Sequence, residues 1–182
     1  TMSGVGRFLK ERAPHVRNVG VDPIGSVYHA LFTTGKTSIP HVYKVEGIGE
    51  DMICGAMDMS VMDEVRQVND AQSFAMARRL AREEGILAGG SSGAAVHVAT
   101  VLAKEMGAEK RIVVILPDGG RAYISKFFSD EWMRDNGFAE PEPQGPATVR
   151  QVLGDRRGRV VTATADEKVD LVVRRMREHD IS

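Results

Sequence analysis

Leu87-Ala88-Gly89-Gly90-Ser91-Ser92-Gly93-Ala94-Ala95 is the stretch on which the reading of this chain turns. An apolar run, Gly85-Ile86-Leu87-Ala88, leads into it, and a helical pattern from Ala94 to Met106 leads out. Two adjacent glycines let another group approach the backbone with no Cβ in the way. A serine at the mouth of a helix caps free amides. The stretch therefore has two readings. It is a capped loop between packed elements, or it is a glycine floor across which Ser91 faces a bound small molecule.

The neighbouring segments set the fold class. Upstream, Asn69-Asp70 caps a helix from Ala71 to Glu84 whose apolar face is Phe74, Ala77, Leu80 and Ala81. Before it, Asp63 to Val68 reads as a strand carrying Val65 and Val68. Downstream, Ile112-Val113-Val114-Ile115-Leu116 is a continuous apolar, largely β-branched run, the mark of a central parallel strand covered on both faces. Strands alternating with helices predict an α/β fold with a mostly parallel sheet. In such sheets ligands gather beyond the carboxyl ends of the strands. Gly47-Ile48-Gly49, Gly89-Gly90-Ser91 and Pro117-Asp118 each follow a predicted strand, and capping alone is a poor explanation for three such loops at one edge.

The remaining segments are read in order. Ser3 to Arg12 is a helix with Val5, Phe8 and Leu9 on one face and Ser3 as its cap. Val16 to Val21 is a buried strand, followed by a turn over 22–26. Val27 to Pro40 reads as irregular, with Thr33-Thr34-Gly35-Lys36 an exposed tip. Tyr43-Lys44-Val45 is a short strand, and Met59 to Met62 a turn or short helix. Residues 139–146, rich in proline and acid, read as a linker. Past it a new unit opens at Thr148-Val149-Arg150-Gln151-Val152-Leu153. It continues through a basic turn at 155–159 and a strand at 160–162. Thr164-Ala165-Asp166-Glu167 then caps a helix from Val169 to Glu178. That unit is too short to bury a core alone.

Composition narrows the function classes. Of 182 residues, 42% are hydrophobic and 27% charged, and the net charge of −1 leaves no electrostatic footprint for nucleic acid. A single cysteine, Cys54, precludes an internal disulfide and fits a reducing compartment. No apolar run approaches the ~20 residues of a membrane helix, and the start resembles no signal peptide. The expectation is a cytoplasmic protein. The first residues run directly into a helix and the last stop where a strand is due, so the chain reads as an internal piece of a longer protein. His15, His29, His41, His97 and His179 show no metal-ligand spacing. Ser3-Gly4-Val5-Gly6 lacks the third glycine of a dinucleotide fingerprint, since Leu9 stands there.

Four strings carry a resemblance: Glu46-Gly47-Ile48-Gly49, Gly89-Gly90-Ser91-Ser92-Gly93, Val113-Val114-Ile115-Leu116-Pro117-Asp118 and Tyr123-Ile124-Ser125-Lys126-Phe127. Together they resemble the cystathionine β-synthases, within the fold-type II pyridoxal-phosphate family that also holds the cysteine synthases. The resemblance covers residues 1–138. The part from residue 147 to residue 182 resembles the start of a cystathionine β-synthase-type (Bateman) regulatory domain.

The resemblance implies pyridoxal 5'-phosphate as cofactor, and a lyase that replaces the serine hydroxyl by homocysteine to give cystathionine. The Schiff-base lysine and the loop for the substrate carboxylate would lie upstream of Thr1, so no residue here is assigned the covalent step. Thr1 matches the last residue of the family's phosphate loop and would help hold the cofactor phosphate at a helix start, where an anion is favoured; an ordinary cap is the alternative. Ser91 would hydrogen-bond the pyridine nitrogen. A hydroxyl there leaves the nitrogen largely neutral, which suits β-elimination and β-replacement, whereas an aspartate would keep it protonated. Gly47 and Gly49 would let the chain pass close to cofactor and substrate, or simply form a turn. Asp118 would stand behind the ring nitrogen, or end the strand in a turn. Tyr123 would line the substrate cleft, or belong to the core.

Two alternatives accompany this reading: a cysteine synthase using O-acetylserine and sulfide, and a non-catalytic adenosyl-ligand sensor on the same scaffold. The pair Glu50-Asp51 resembles cystathionine β-synthases of bacterial type, where cysteine synthases show small residues, and that resemblance implies homocysteine as second substrate. The resemblance also implies a homo-oligomer, dimer or tetramer, and S-adenosylmethionine at the regulatory domain.

Overall fold

The computed structural model describes residues 1–138, 163–164 and 166–178. The chain divides into two compact units, Thr1–Ala139 and Glu140–Ser182.

The first unit is built on two parallel strands, β1 (Val19–Pro23) and β2 (Glu64–Val68), in register from Val19 opposite Glu64 to Pro23 opposite Val68. Parallel strands need a long crossover. Here it holds α2 (Tyr28–Thr34) and a short 3₁₀ turn, Met59–Val61. Helix α1 (Met2–Arg12) precedes β1 and packs on that turn. After β2 come α3 (Asp70–Glu83), α4 (Gly90–Met106), a second 3₁₀ turn (Gly120–Tyr123) and α5 (Asp130–Asp135). The α/β class with a parallel sheet is as the sequence predicts.

Helix α3 starts as expected. The Asn69 side chain accepts from Gln72 N–H at 2.9 Å, and the Gln72 side chain accepts from Asn69 N–H at 3.0 Å, a full capping box. Phe74, Ala77 and Leu80 are buried and Ala81 half-buried. Helices α3 and α4 pack tightly through small residues: a Cβ on Gly93 would lie 2.1 Å from Ser73 O. The core has three centres, one around Phe74, Phe127, Met133 and Val45, one joining Val68 to Ala94, Val98 and Leu102, and one of Val61, Met62 and Val65.

Several local expectations need correction. Residues 28–34 are helical, not irregular; α2 ends at Gly35, whose φ of 71° closes it in the left-handed region. Tyr43-Lys44-Val45 is extended but is no strand. The Lys44 and Val45 amides donate to the Asp70 carboxylate at 2.8 and 2.9 Å, so α3, not a ladder, satisfies them. Ser3 does not cap α1. Thr1 is the N-cap residue, and the Ser3 hydroxyl instead donates to Ala56 O and accepts from Asp58 N–H. The side of α1 that packs inward carries Gly6, against Asn18 and Val61, while Val5 and Phe8 are exposed.

The run Arg111–Leu116 differs most. It makes no strand pairing among the described residues, and only Ile112 and Val114 within it are half-buried. Ile112 rests on the Val68–Val98 cluster, whereas Val113 is 85% exposed and Ile115 49%. Its composition matches a doubly covered strand, but it pairs with neither β1 nor β2, which form a two-stranded sheet by themselves.

In the second unit, α6 (Val169–Glu178) follows a turn in which the Glu167 carboxylate accepts from Thr164 N–H at 3.2 Å and pairs with Arg175. The expected linker 139–146, the opening at 148–153, the basic turn and the strand at 160–162 lie outside the described residues.

Candidate functional site

The site grows from a short antiparallel contact. Ala88 bridges Gly119, Gly89 N–H donates to Asp118 O at 3.1 Å, and Gly120 N–H donates to Leu87 O at 3.0 Å. Two loops that follow apolar runs are thereby locked side by side. Gly89 makes the contact possible, because a Cβ there would stand 2.0 Å from Asp118 Oδ1.

Helix α4 begins one turn earlier than its apolar pattern indicates. Gly89 is the N-cap, so Ser91 sits inside the first turn and not at the mouth. Its side chain makes no cap bond there. Ser91 is 3% exposed, and among the described residues its polar contact is a long hydrogen bond, 3.4 Å, to Asp118 Oδ1. A hydroxyl has one proton to donate and two lone pairs, so most of this capacity is unspent. Ser92 is wholly buried, and among the described residues its Oγ has no hydrogen-bond partner.

Asp118 is the hub. Its Oδ2 accepts from the Tyr123 hydroxyl at 2.7 Å while Oδ1 faces Ser91. Hydrogen bonding to Asp118, then desolvation, pushes the Tyr123 phenol up to about 12. The Tyr123 ring stacks on Phe127, centroids 5.0 Å apart, and Phe127 in turn stacks on Phe74 of α3 at 4.9 Å. Tyr123 thus belongs to the aromatic core, the second of its two sequence readings, while its hydroxyl reaches Asp118.

Gly47 joins this group. It has φ of 84°, and a Cβ on it would lie 3.9 Å from Ser91 Oγ. Gly49 serves a different purpose: its Cβ would strike Pro23 Cγ at 2.4 Å and Tyr43 Oη at 2.7 Å, so it lets the loop fold onto the end of β1. Thr1 opens α1 with its side chain uninvolved in capping, and no contact described above ties it to Ser91. Sequence reasoning assigned nothing to Glu46 and Lys126, which form an ion pair across the site. The signal was available as opposite charges inside two of the quoted strings, but nothing local shows that they meet.

Pyridoxal phosphate can be tested against these residues. A buried hydroxyl whose one proton is held only by a long bond to a carboxylate, beside residues that carry no Cβ, suits the nitrogen of a flat heterocycle once that proton turns to it. The residues present fit the group. Among the described residues, no group of three His, Cys, Asp or Glu could hold a metal ion, and no helix is long and apolar enough to cross a membrane.

Comparison with known proteins agrees with this geometry. The family model described as "Pyridoxal-phosphate dependent enzyme" matches residues 1–118. The chain belongs to the pyridoxal-phosphate dependent enzyme family. Within that family it is similar to cystathionine beta-synthase of Apis mellifera, 45% identical over 141 residues, covering 78% of this chain and 28% of the relative. It is 46% identical to cystathionine beta-synthase of Mus musculus over 145 residues, 78% and 25% of the two chains. It is 40% identical over 126 residues to the O-acetylserine dependent cystathionine beta-synthase of Bacillus subtilis, 69% and 39%. The chain spans about a quarter of the length of the animal relatives.

Proposed function

We propose that this chain is the C-terminal part of the catalytic domain of a cystathionine β-synthase, residues 1–138, followed by a linker at 139–146 and the start of a Bateman regulatory domain at 147–182. The observation that carries the reading is Ser91, a buried hydroxyl in the first turn of α4 with Asp118 behind it. Identity of 45–46% to the animal enzymes supports it. The division of the chain at Ala139 supports the domain boundary.

When bound, pyridoxal phosphate supplies a conjugated ring that draws electrons from the α-carbon of an amino-acid substrate. With the cofactor bound, the Ser91 hydroxyl would turn its one proton from Asp118 Oδ1 to the ring nitrogen. A neutral donor leaves that nitrogen largely uncharged, which favours departure of a β-substituent. Asp118 orients the serine from behind, and Tyr123 holds Asp118 through Oδ2. Gly47 leaves room beside Ser91. Gly49 shapes the same loop from Pro23, so its part in substrate access is indirect. Thr1, with unbonded amides behind it at the start of α1, offers donors for the cofactor phosphate.

The substrates are serine and homocysteine, the protein is a cytoplasmic homo-oligomer, and S-adenosylmethionine binds the regulatory domain. The Bacillus subtilis relative favours a second reading, in which O-acetylserine replaces serine as first substrate. Turnover of each with homocysteine, followed as cystathionine formed by the full-length protein, separates the two. Cystathionine from serine upholds the first reading. Product from O-acetylserine alone selects the second, and no product from either overturns both.

A further inference from the structure

The loop that carries Gly47 is anchored at both ends. Before it, the Lys44 and Val45 amides donate to the Asp70 carboxylate. After it, Glu50 N–H donates to Ser26 Oγ at 3.1 Å and Glu50 O accepts from Val27 N–H at 3.0 Å. Between these anchors, among the described residues, one side-chain bond holds the loop across the site: Lys126 Nζ donates to Glu46 Oε1, linking positions 80 residues apart. Lys126 belongs to the same turn as Tyr123. Its N–H donates to Tyr123 O at 3.0 Å, and its Nζ lies 5.8 Å from the Tyr123 ring centroid. One cation therefore touches the Gly47 loop on one side and the tyrosine that holds Asp118 on the other.

We propose that Lys126 is a positioning residue, strapping the Glu46–Gly49 loop to the Tyr123 turn and so fixing Gly47 against Ser91. The ion pair is half-exposed, with side chains 41% and 53% accessible, so it contributes little to global stability. Its effect is local: it sets the width of the gap between the loop and the first turn of α4. The strap deepens the cofactor reading, since that reading says what Ser91 faces, but its own geometry is independent of any ligand.

Hydrogen exchange on the full chain tests it. The amides of Lys44, Val45 and Glu50 report the loop, because each is bonded at a loop anchor. Glu46→Gln and Lys126→Met each accelerate exchange of these amides about fivefold, while amides of β1 and β2 keep their rates. Lys126→Arg and the charge-swapped double variant Glu46→Lys/Lys126→Glu restore the wild-type rates. Unchanged rates in the single variants, or a swapped variant as fast as the singles, overturn the strap. Acceleration spread equally over β1 and β2 also overturns it, since the pair then acts on the whole fold. Pyridoxal-phosphate binding by Ser91→Ala is read separately, so the strap and the cofactor assignment fail independently.

Discussion

The Ser91 hydroxyl lies 3.4 Å from Asp118 Oδ1, 27 residues away along the chain. The contact is long for a hydrogen bond between a hydroxyl and a carboxylate, which prefer about 2.5–2.7 Å. Asp118 thus holds the one Ser91 proton weakly, and a better-placed acceptor can take it over. The other carboxylate oxygen is taken by Tyr123 at 2.7 Å, so the three side chains form one polar line from the core aromatic stack to the helix start.

Removing the hydroxyl removes the donor to the cofactor. Ser91→Ala weakens pyridoxal-phosphate binding by about 2–10-fold, the loss of about 0.5–1.5 kcal/mol for a hydrogen bond between neutral partners. Ser91→Asp binds the cofactor but lowers β-replacement, because a carboxylate keeps the ring nitrogen protonated. Equilibrium titration followed by absorbance, with turnover measured beside it, checks both.

The neighbouring serine behaves in the opposite way. Ser92 Oγ is buried with no partner among the described residues, so its desolvation is uncompensated. Ser92→Ala stabilises the fold by about 1 kcal/mol, aided by the better helix propensity of alanine. Urea unfolding reads the change as a higher midpoint at constant slope.

Glycines in α4 and α1 separate close approach from permissiveness. On Gly93 a Cβ meets Ser73 O at 2.1 Å, and neither helix backbone can move without parting α3 from α4. Gly93→Ala costs about 3 kcal/mol or more, at the upper end of overpacking. Gly4, inside α1, has nothing within 4 Å of an added Cβ. Gly4→Ala stabilises by about 0.5–1 kcal/mol. The two unfolding midpoints, compared with wild type, check the pair.

Tyr123 gives a pH signature. Its folded pKa, pushed up to about 12, exceeds the unfolded value near 10. The native state then holds the proton more tightly, so its contribution to stability is full below pH 10 and is lost as pH rises towards 12. Asp118→Asn removes the carboxylate that causes the shift and returns the phenol towards its ordinary range. Tyrosinate absorbance as a function of pH, with Tyr123→Phe identifying the band, measures the difference.

Periodicity and local chemistry made part of this legible in the sequence. The capping box at Asn69 rests on contacts within a few residues, and the buried face of α3 and the strand at 64–68 show as apolar periodicity before their distant partners are known. Gly47, Ser91 and Asp118 do meet, but not as loops at the ends of neighbouring strands, because the runs before Gly47 and Asp118 form no strand. The failures are equally physical. Tyr43-Lys44-Val45 carries strand residues, yet Asp70 offers its amides better partners than any strand. The Ile112–Leu116 run encodes a doubly covered strand, and burial depends on neighbours that this stretch does not itself contain. Lys126 and Glu46 are ordinary surface charges until the fold brings them together.

The most direct measurement is the distance from Ser91 Oγ to the pyridine nitrogen in a crystal structure of the protein with pyridoxal phosphate bound. The account predicts a hydrogen bond of about 2.7–3.0 Å, with Asp118 still behind the serine. A ring nitrogen beyond ~4 Å from Ser91, or bonded to a carboxylate instead, would contradict it.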